Sequence, residues 1–328
     1  MRAFSFGPSF RFANFPASGS FKCDFQDDER ILSRMTGQDF ATRYRIESGN
    51  KFHLKKIDPG DTGDIGSKEA AAPHLEEGVT RLCELQEKLY AQSEWSLLLV
   101  FQAMDAAGKD GAIKHVLSGV NPQGCKVTSW KKPSDEELSH DFLWRASKAL
   151  PEAGRIGVLN RSYYEEVLMV RVHPDYLENQ HIPKKLITKR IWRERFQSIN
   201  DFERHLTRSG TVVLKFLLHL SPEEQRRRIL ERIDDKEKNW KFEINDLAER
   251  KLWDRYMDAF QEMVRETSTA EAPWYVVPAD HKWFTHLAVS SIISDKLRSL
   301  HLHPPKLSAK EKKQMAKARA ELAGRRSK

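Results

Sequence analysis

A doubly wound α/β fold with a parallel sheet is predicted by three features of the 328-residue sequence. Apolar runs of strand length recur along it, the segments between them read as helices, and most runs are continuously apolar instead of alternating. Continuous apolarity indicates strands covered on both faces, and strand alternating with helix indicates an α/β architecture. In order, the runs are Trp95–Gln102 (WSLLLVFQ), Lys126–Trp130 (KVTSW), Ile156–Leu159 (IGVL), Thr211–Leu220 (TVVLKFLLHL) and Trp274–Pro278 (WYVVP). The spacer after the fourth run opens with Ser221-Pro222-Glu223-Glu224, which supplies a capping hydroxyl, proline at the first helical position and acids in the first turn. Residues 51–68 are polar, with Pro59, Gly60, Gly63 and Gly66, and read as a loop or arm.

The flanks differ in composition from this core. The first forty residues are rich in Phe, Ser and Arg and poor in acids. Their Pro and Gly interrupt any helical period, so they read as a disordered leader more than as a transit peptide, with Met35 as a second candidate start. From Lys306 the chain is basic and Ala-rich and reads as a solvated helix. No apolar run approaches the roughly 20 residues that span a bilayer, so a soluble, cytoplasmic protein without membrane contact is expected. The three cysteines, Cys23, Cys83 and Cys125, lie far apart, which argues for reduced thiols and against a CxxC metal pair. The formal charge of +8 and pI of about 9.2 call for an anionic partner.

Ligands of such folds gather outside the carboxyl ends of the strands. After the first run stands VFQAMDAAGKDGAIKHV (100–116), close to the ATP-binding pattern G-x-x-x-x-G-K-[ST]. Gly108-Lys109 is present, but Ala103 replaces the first Gly and Asp110 the Ser/Thr. The backbone N–H groups of Ala107 to Gly111 at a helix start would still suit an anion, although an ordinary strand-to-helix turn has the same outline. Asp105 weighs against that bland reading. A carboxylate in a phosphate cradle is tolerated when a cation stands between them, and magnesium binds both kinds of oxygen.

After the third run come Asn160-Arg161-Ser162-Tyr163-Tyr164-Glu165. Arg161 suits bidentate phosphate contact, and Glu165, about one turn on, can face the same cleft. After the fourth run the helix carries Arg226, Arg227, Arg228 and Arg232. Arg228 and Arg232 share a face, although Glu224–Arg228 is also an i,i+4 pair of the kind found on solvated surfaces.

Read together, A-M-D-A-A-G-K-D-G (103–111), N-P-Q-G (121–124), N-R-S-Y-Y-E (160–165), D-D-x5-W-K (234–241) and APWYVVPAD (272–280) resemble the polyphosphate kinase 2 family, over about residues 44–300. The resemblance implies a three-layer P-loop kinase core similar to thymidylate kinase, with a five-stranded parallel sheet and a helical lid at about 222–250. Residues 1–43 would be leader and 301–328 tail. It also implies magnesium-dependent transfer of phosphate between inorganic polyphosphate and purine nucleotides, manganese being a possible substitute, by a homo-oligomer.

Carried over residue by residue, the resemblance would make Asp105 a magnesium and catalytic carboxylate and Lys109 and Arg161 catalytic phosphate ligands; Glu165, where many relatives have Asn, is expected to add a second catalytic carboxylate on the metal. Ala107 to Gly111, Arg161, Arg171, Arg227, Arg228 and Arg232 bind phosphate. The N-R-S-x-Y-E version resembles the subgroup that phosphorylates nucleoside mono- and diphosphates. An ATP-dependent nucleotide kinase is the enzymatic alternative, and the missing Ser/Thr argues against it. A nucleic-acid-binding protein is the other, but no RNP, KH or zinc-finger signature is present.

Overall fold

The computed structural model describes residues 40–324. All five apolar runs are strands: β2 (Ser96–Ala103), β3 (Cys125–Ser129), β4 (Ile156–Asn160), β5 (Thr211–His219) and β6 (Trp274–Pro278). They lie parallel in the order β6-β5-β2-β4-β3. The described sheet has six strands, however, and is mixed. β1 (Arg45–Ile46) adds an antiparallel edge on β6. Two residues carry no readable apolar run, so the expected count of five missed it.

Helices cover both faces. On one face Leu97, Leu99 and Phe101 of β2 pack with α1 (Lys68–Gln92), α2 (Lys109–Val116) and α7 (Lys282–Ser299). On the other, Leu98 and Val100 pack with α3 (Ile191–Arg208) and α6 (Trp253–Thr267). The period of two along one strand thus feeds two cores. β3 departs from the expectation of double coverage. As an edge strand it leaves Val127 exposed.

Phe40 and Tyr44, in a short helix at Phe40–Tyr44, set their rings edge-on to Phe284, 5.7 and 6.0 Å away. The folded core therefore includes residues four positions before the expected start at 44, because Phe40 is buried in it. The rest of the proposed leader, residues 1–39, lies outside the described residues. At the other end α8 (Ala309–Gly324) has no buried residue and is the solvated helix expected. Between β5 and α6, α4 (Pro222–Asp234) is followed by a turn at Asn239–Lys241 and by α5 (Asn245–Lys251). Among the described residues, no helix is long and apolar enough to cross a membrane.

Candidate active site

The loop after β2 leaves the strand at Ala103 and enters α2 at Lys109, with Gly108 capping the helix at φ +101°. That left-handed backbone is open to Gly and strained for other residues. Ala106 and Arg161 adopt φ of +64° and +62° without being glycine, which costs on the order of 1 kcal/mol or more each and must be held by surrounding structure. Both positions sit beside Asp105.

Arg161 donates to Asp105 Oδ1 at 2.6 Å. Burial works against its charge, but the carboxylates of Glu165 and Asp105 outweigh burial and raise its pKa. Lys109 Nζ donates to the carbonyls of Ala103 (2.9 Å) and Met104 (3.3 Å), folding back over its own loop. Burial lowers its pKa, opposed chiefly by Asp105. Glu165 lies in a 3-10 turn, Tyr163–Val167, and not in the α-helix that its spacing suggested. Burial raises its pKa, opposed by Arg161 and Lys109. With its amide oriented to satisfy both ends, Gln102 donates to Glu165 Oε1 (2.9 Å) and accepts from the N–H (3.1 Å) and hydroxyl (3.0 Å) of Ser162. The four residues expected to be catalytic thus form one electrostatic cluster at the carboxyl ends of neighbouring parallel strands.

Asp110, in the place of the Ser/Thr, accepts from Asn160 Nδ2 at 2.7 Å. Its carboxylate is tied to the β4 end, leaving only its place in the first turn of α2 for anion binding. The loop's departure from the ATP pattern at Asp110 and the first residue of N-R-S-Y-Y-E are therefore partners.

The arginines of α4 separate into different roles. Arg228 is buried and uses all five N–H donors on protein. Nε donates to Glu224 (2.7 Å), Nη1 to the carbonyls of Ala106 (3.1 Å) and Ala107 (2.9 Å), and Nη2 to those of Ala279 (2.6 Å) and Asp280 (2.9 Å). The guanidinium expected to bind phosphate is thus engaged with Glu224 and with backbone carbonyls on either side of the loop. Gln225, also buried, donates to Asp105 O (3.0 Å) and accepts from Arg250 (2.7 Å). Through these two residues α4, the first helix of the expected lid at 222–250, touches the loop after β2.

Arg227 faces solvent and pairs with Glu224 (2.5 Å) and Glu231 within its own helix. Arg232 pairs with Asp246 at 3.1 Å. Asp246 has its pKa raised by burial and then by the charge of Asp105, which places Arg232 at the edge of the cluster. Arg171 pairs with Glu262 at 2.5 Å, a bridge between helices, and no hydrogen bond among the described residues joins it to the cluster.

Sequence reasoning missed Gln102, Gln225, Asp246 and Tyr256. Tyr256 is buried and donates to Glu249 (2.6 Å), and it feels the charges of Glu165 and Asp105. Gln102 carried a usable signal, a lone amide at the end of an apolar strand, whereas the others depend on helix packing. Next to the cluster, a cavity of about 300 Å³ is lined by Phe142, Arg145, Glu166, Gln180, Ile182 and Arg195 among others. Glu166, the neighbour of Glu165, is held there by Arg195 (3.0 Å) and Gln180 (2.6 Å).

Residues 66–303 match the model of the family Polyphosphate kinase 2. The chain is 50% identical over 285 residues to the ADP-polyphosphate phosphotransferase of Rhodopseudomonas palustris, covering 85% of this chain and 97% of that one. It is 45% identical over 264 residues to the AMP/ADP-polyphosphate phosphotransferase of Meiothermus ruber, covering 80% and 95%. The crystal structure of polyphosphate kinase 2 from Arthrobacter aurescens TC1 superposes with a TM-score of 0.77 at 42% identity, covering 85% of this chain and 97% of that one. By sequence and by fold, the chain belongs to the polyphosphate kinase 2 family.

Proposed function

We propose that this protein transfers the terminal phosphate of inorganic polyphosphate to nucleoside diphosphates and monophosphates, reversibly and with magnesium, on a P-loop core of the thymidylate kinase kind. The observation that carries the reading is the convergence of Asp105, Lys109, Arg161 and Glu165 at the ends of β2 and β4. Its relatives named as ADP- and AMP/ADP-polyphosphate phosphotransferases agree with it.

Donor and acceptor are both anions, and the attacking phosphate oxygen is already ionised. The protein has to align the two in line and neutralise charge, with no obligatory general base. Lys109 would exchange its loop carbonyls for phosphate oxygens, and Arg161 would turn its guanidinium from Asp105 toward the transferring group. Two carboxylates, Asp105 and Glu165, suit a hard cation such as magnesium. Among the described residues no group of three or more His, Cys, Asp or Glu forms a metal site, so substrate oxygens and water would complete the shell. When bound, the ion would supply charge neutralisation at the phosphates.

The test is to incubate the pure protein with magnesium and polyphosphate, offer AMP, ADP, GMP or GDP, and separate the products. ATP formed from ADP with no other phosphate donor is the expected result. Transfer supported by ATP alone would replace this reading with an ATP-dependent nucleotide kinase.

A further inference from the structure

Lys215 stands in β5 with no exposed surface, in a strand whose neighbours are aliphatic or aromatic. Its Nζ donates to Glu203 Oε2 (2.6 Å), to the carbonyl of Thr267 (2.7 Å) and to the Tyr164 hydroxyl (3.1 Å). Glu203, buried on α3, accepts through Oε1 from the hydroxyls of Tyr163 and Tyr164, both at 2.8 Å. All three ammonium protons are used. A buried ion pair of this kind is often no more stabilising than an apolar packing of the same volume, so stability alone does not account for it.

The two tyrosines are consecutive and lie between Arg161 and Glu165 in the turn after β4. Successive side chains in a 3-10 turn diverge by roughly 120°. Drawing both hydroxyls to one carboxylate oxygen therefore sets how the turn is rotated. From the other side, Ser162 Oγ accepts from Tyr164 N–H at 3.2 Å, and Gln102 bridges Ser162 to Glu165. Arg161 holds a left-handed backbone that persists only where its surroundings over-determine it.

We propose that the buried Lys215–Glu203 pair positions Arg161 and Glu165 for phosphoryl transfer, acting through the hydroxyls of Tyr163 and Tyr164. The proposal rests on Arg161 and Glu165 being site residues. Lys215, Glu203 and the tyrosines touch no substrate, and their part is to keep the flanking side chains on target. Misplacement by about 1 Å far from the reacting atoms can cost 10²-fold in rate.

The test is Tyr163→Phe/Tyr164→Phe in the full chain, which keeps both rings and removes both hydroxyls. Turnover (kcat) should fall about 10-fold, with KM for polyphosphate and nucleotide within about 2-fold, because positioning acts on the transition state. Leu297→Ala, in the buried core of α7, should lower the melting temperature with kcat per folded molecule unchanged.

In an Arg161→Ala/Glu165→Asn background the tyrosine changes should reduce the residual turnover by less than about 2-fold, since residues acting as one unit are not additive. A lowered melting temperature with unchanged kcat in the double tyrosine variant overturns the proposal, as does the full 10-fold loss in that background. Should the double variant not fold, Tyr163→Phe alone, which leaves Lys215 fully bonded, should still lower kcat by about 3-fold, and an unchanged value overturns the proposal. If Arg161→Ala/Glu165→Asn itself turns over normally, the site assignment fails. If it is impaired while the tyrosine changes are silent, only the positioning role does.

Discussion

The two faces of α4 carry the same residue type and use it in opposite ways. On the inner face, Arg228 spends five N–H donors on Glu224 and on four carbonyls, two of them in the loop after β2. On the outer face, Arg226 and Arg227 are about half exposed and pair with glutamates of their own helix. Beyond the helix the contrast grows, with Trp240 at 74% and Ile244 at 76% exposure. The difference lies in what each guanidinium can do for an incoming anion. Arg228 holds the carbonyls of Ala106 and Ala107, whereas Arg227 lies at the surface between Glu224 and Glu231.

The sharpest contrast should come from the loop that the inner face frames. Asp105→Asn keeps size and hydrogen bonding and removes one charge from the cluster. Steady-state assays should show a loss of at least about 100-fold in kcat/KM, the scale of one transition-state electrostatic element, with little change in melting temperature. Near-normal turnover would make Asp105 a framework residue only.

Arg228→Ala should follow closely in activity and exceed it in stability. Removing one partner from a buried charge network costs about 3–5 kcal/mol, so the melting temperature should drop by roughly 5–10 °C. Arg228→Lys should rescue little, since a single ammonium cannot reproduce a five-donor fork. A stable Arg228→Ala protein that has lost only polyphosphate affinity would erase the distinction between the faces.

Glu165→Asn should act selectively. A monophosphate acceptor places its attacking oxygen one phosphate deeper than a diphosphate does, so a second carboxylate is needed most for AMP. The kcat/KM for AMP should fall about 10-fold more than that for ADP. Equal losses would make Glu165 a general ligand, and no loss would leave it as an acid beside Arg161.

The smallest effect belongs to the outer face. Arg227→Ala should leave the melting temperature unchanged and raise KM for long-chain polyphosphate about 2-fold at low salt. At about 0.3 M salt the effect should vanish, because exposed charges are screened over a few ångströms. A salt-independent loss would place Arg227 within the site itself.

Much of this molecule was legible in its sequence. The five long strands, the capped start of α4, where Ser221 Oγ accepts from Glu224 N–H at 3.1 Å, and the cluster of Asp105, Lys109, Arg161 and Glu165 follow from local rules: apolar runs, capping chemistry and what emerges at strand ends. The resemblance of five ordered stretches to one family supplied the chemistry. β1 could not be read, because a two-residue edge has no pattern of its own. Nor could the placing of the arginines, since Arg226, Arg227 and Arg228 are identical in type and differ only in the side of a helix that meets the loop after β2. Tertiary structure alone decided that Asp110 answers to Asn160, that Arg228 turns its donors to Glu224 and four carbonyls, and that a lysine inside β5 finds its counter-charge on α3. Each is a pairing between residues distant in the chain, and side-chain chemistry states what a residue can bind while packing decides which partner comes within reach.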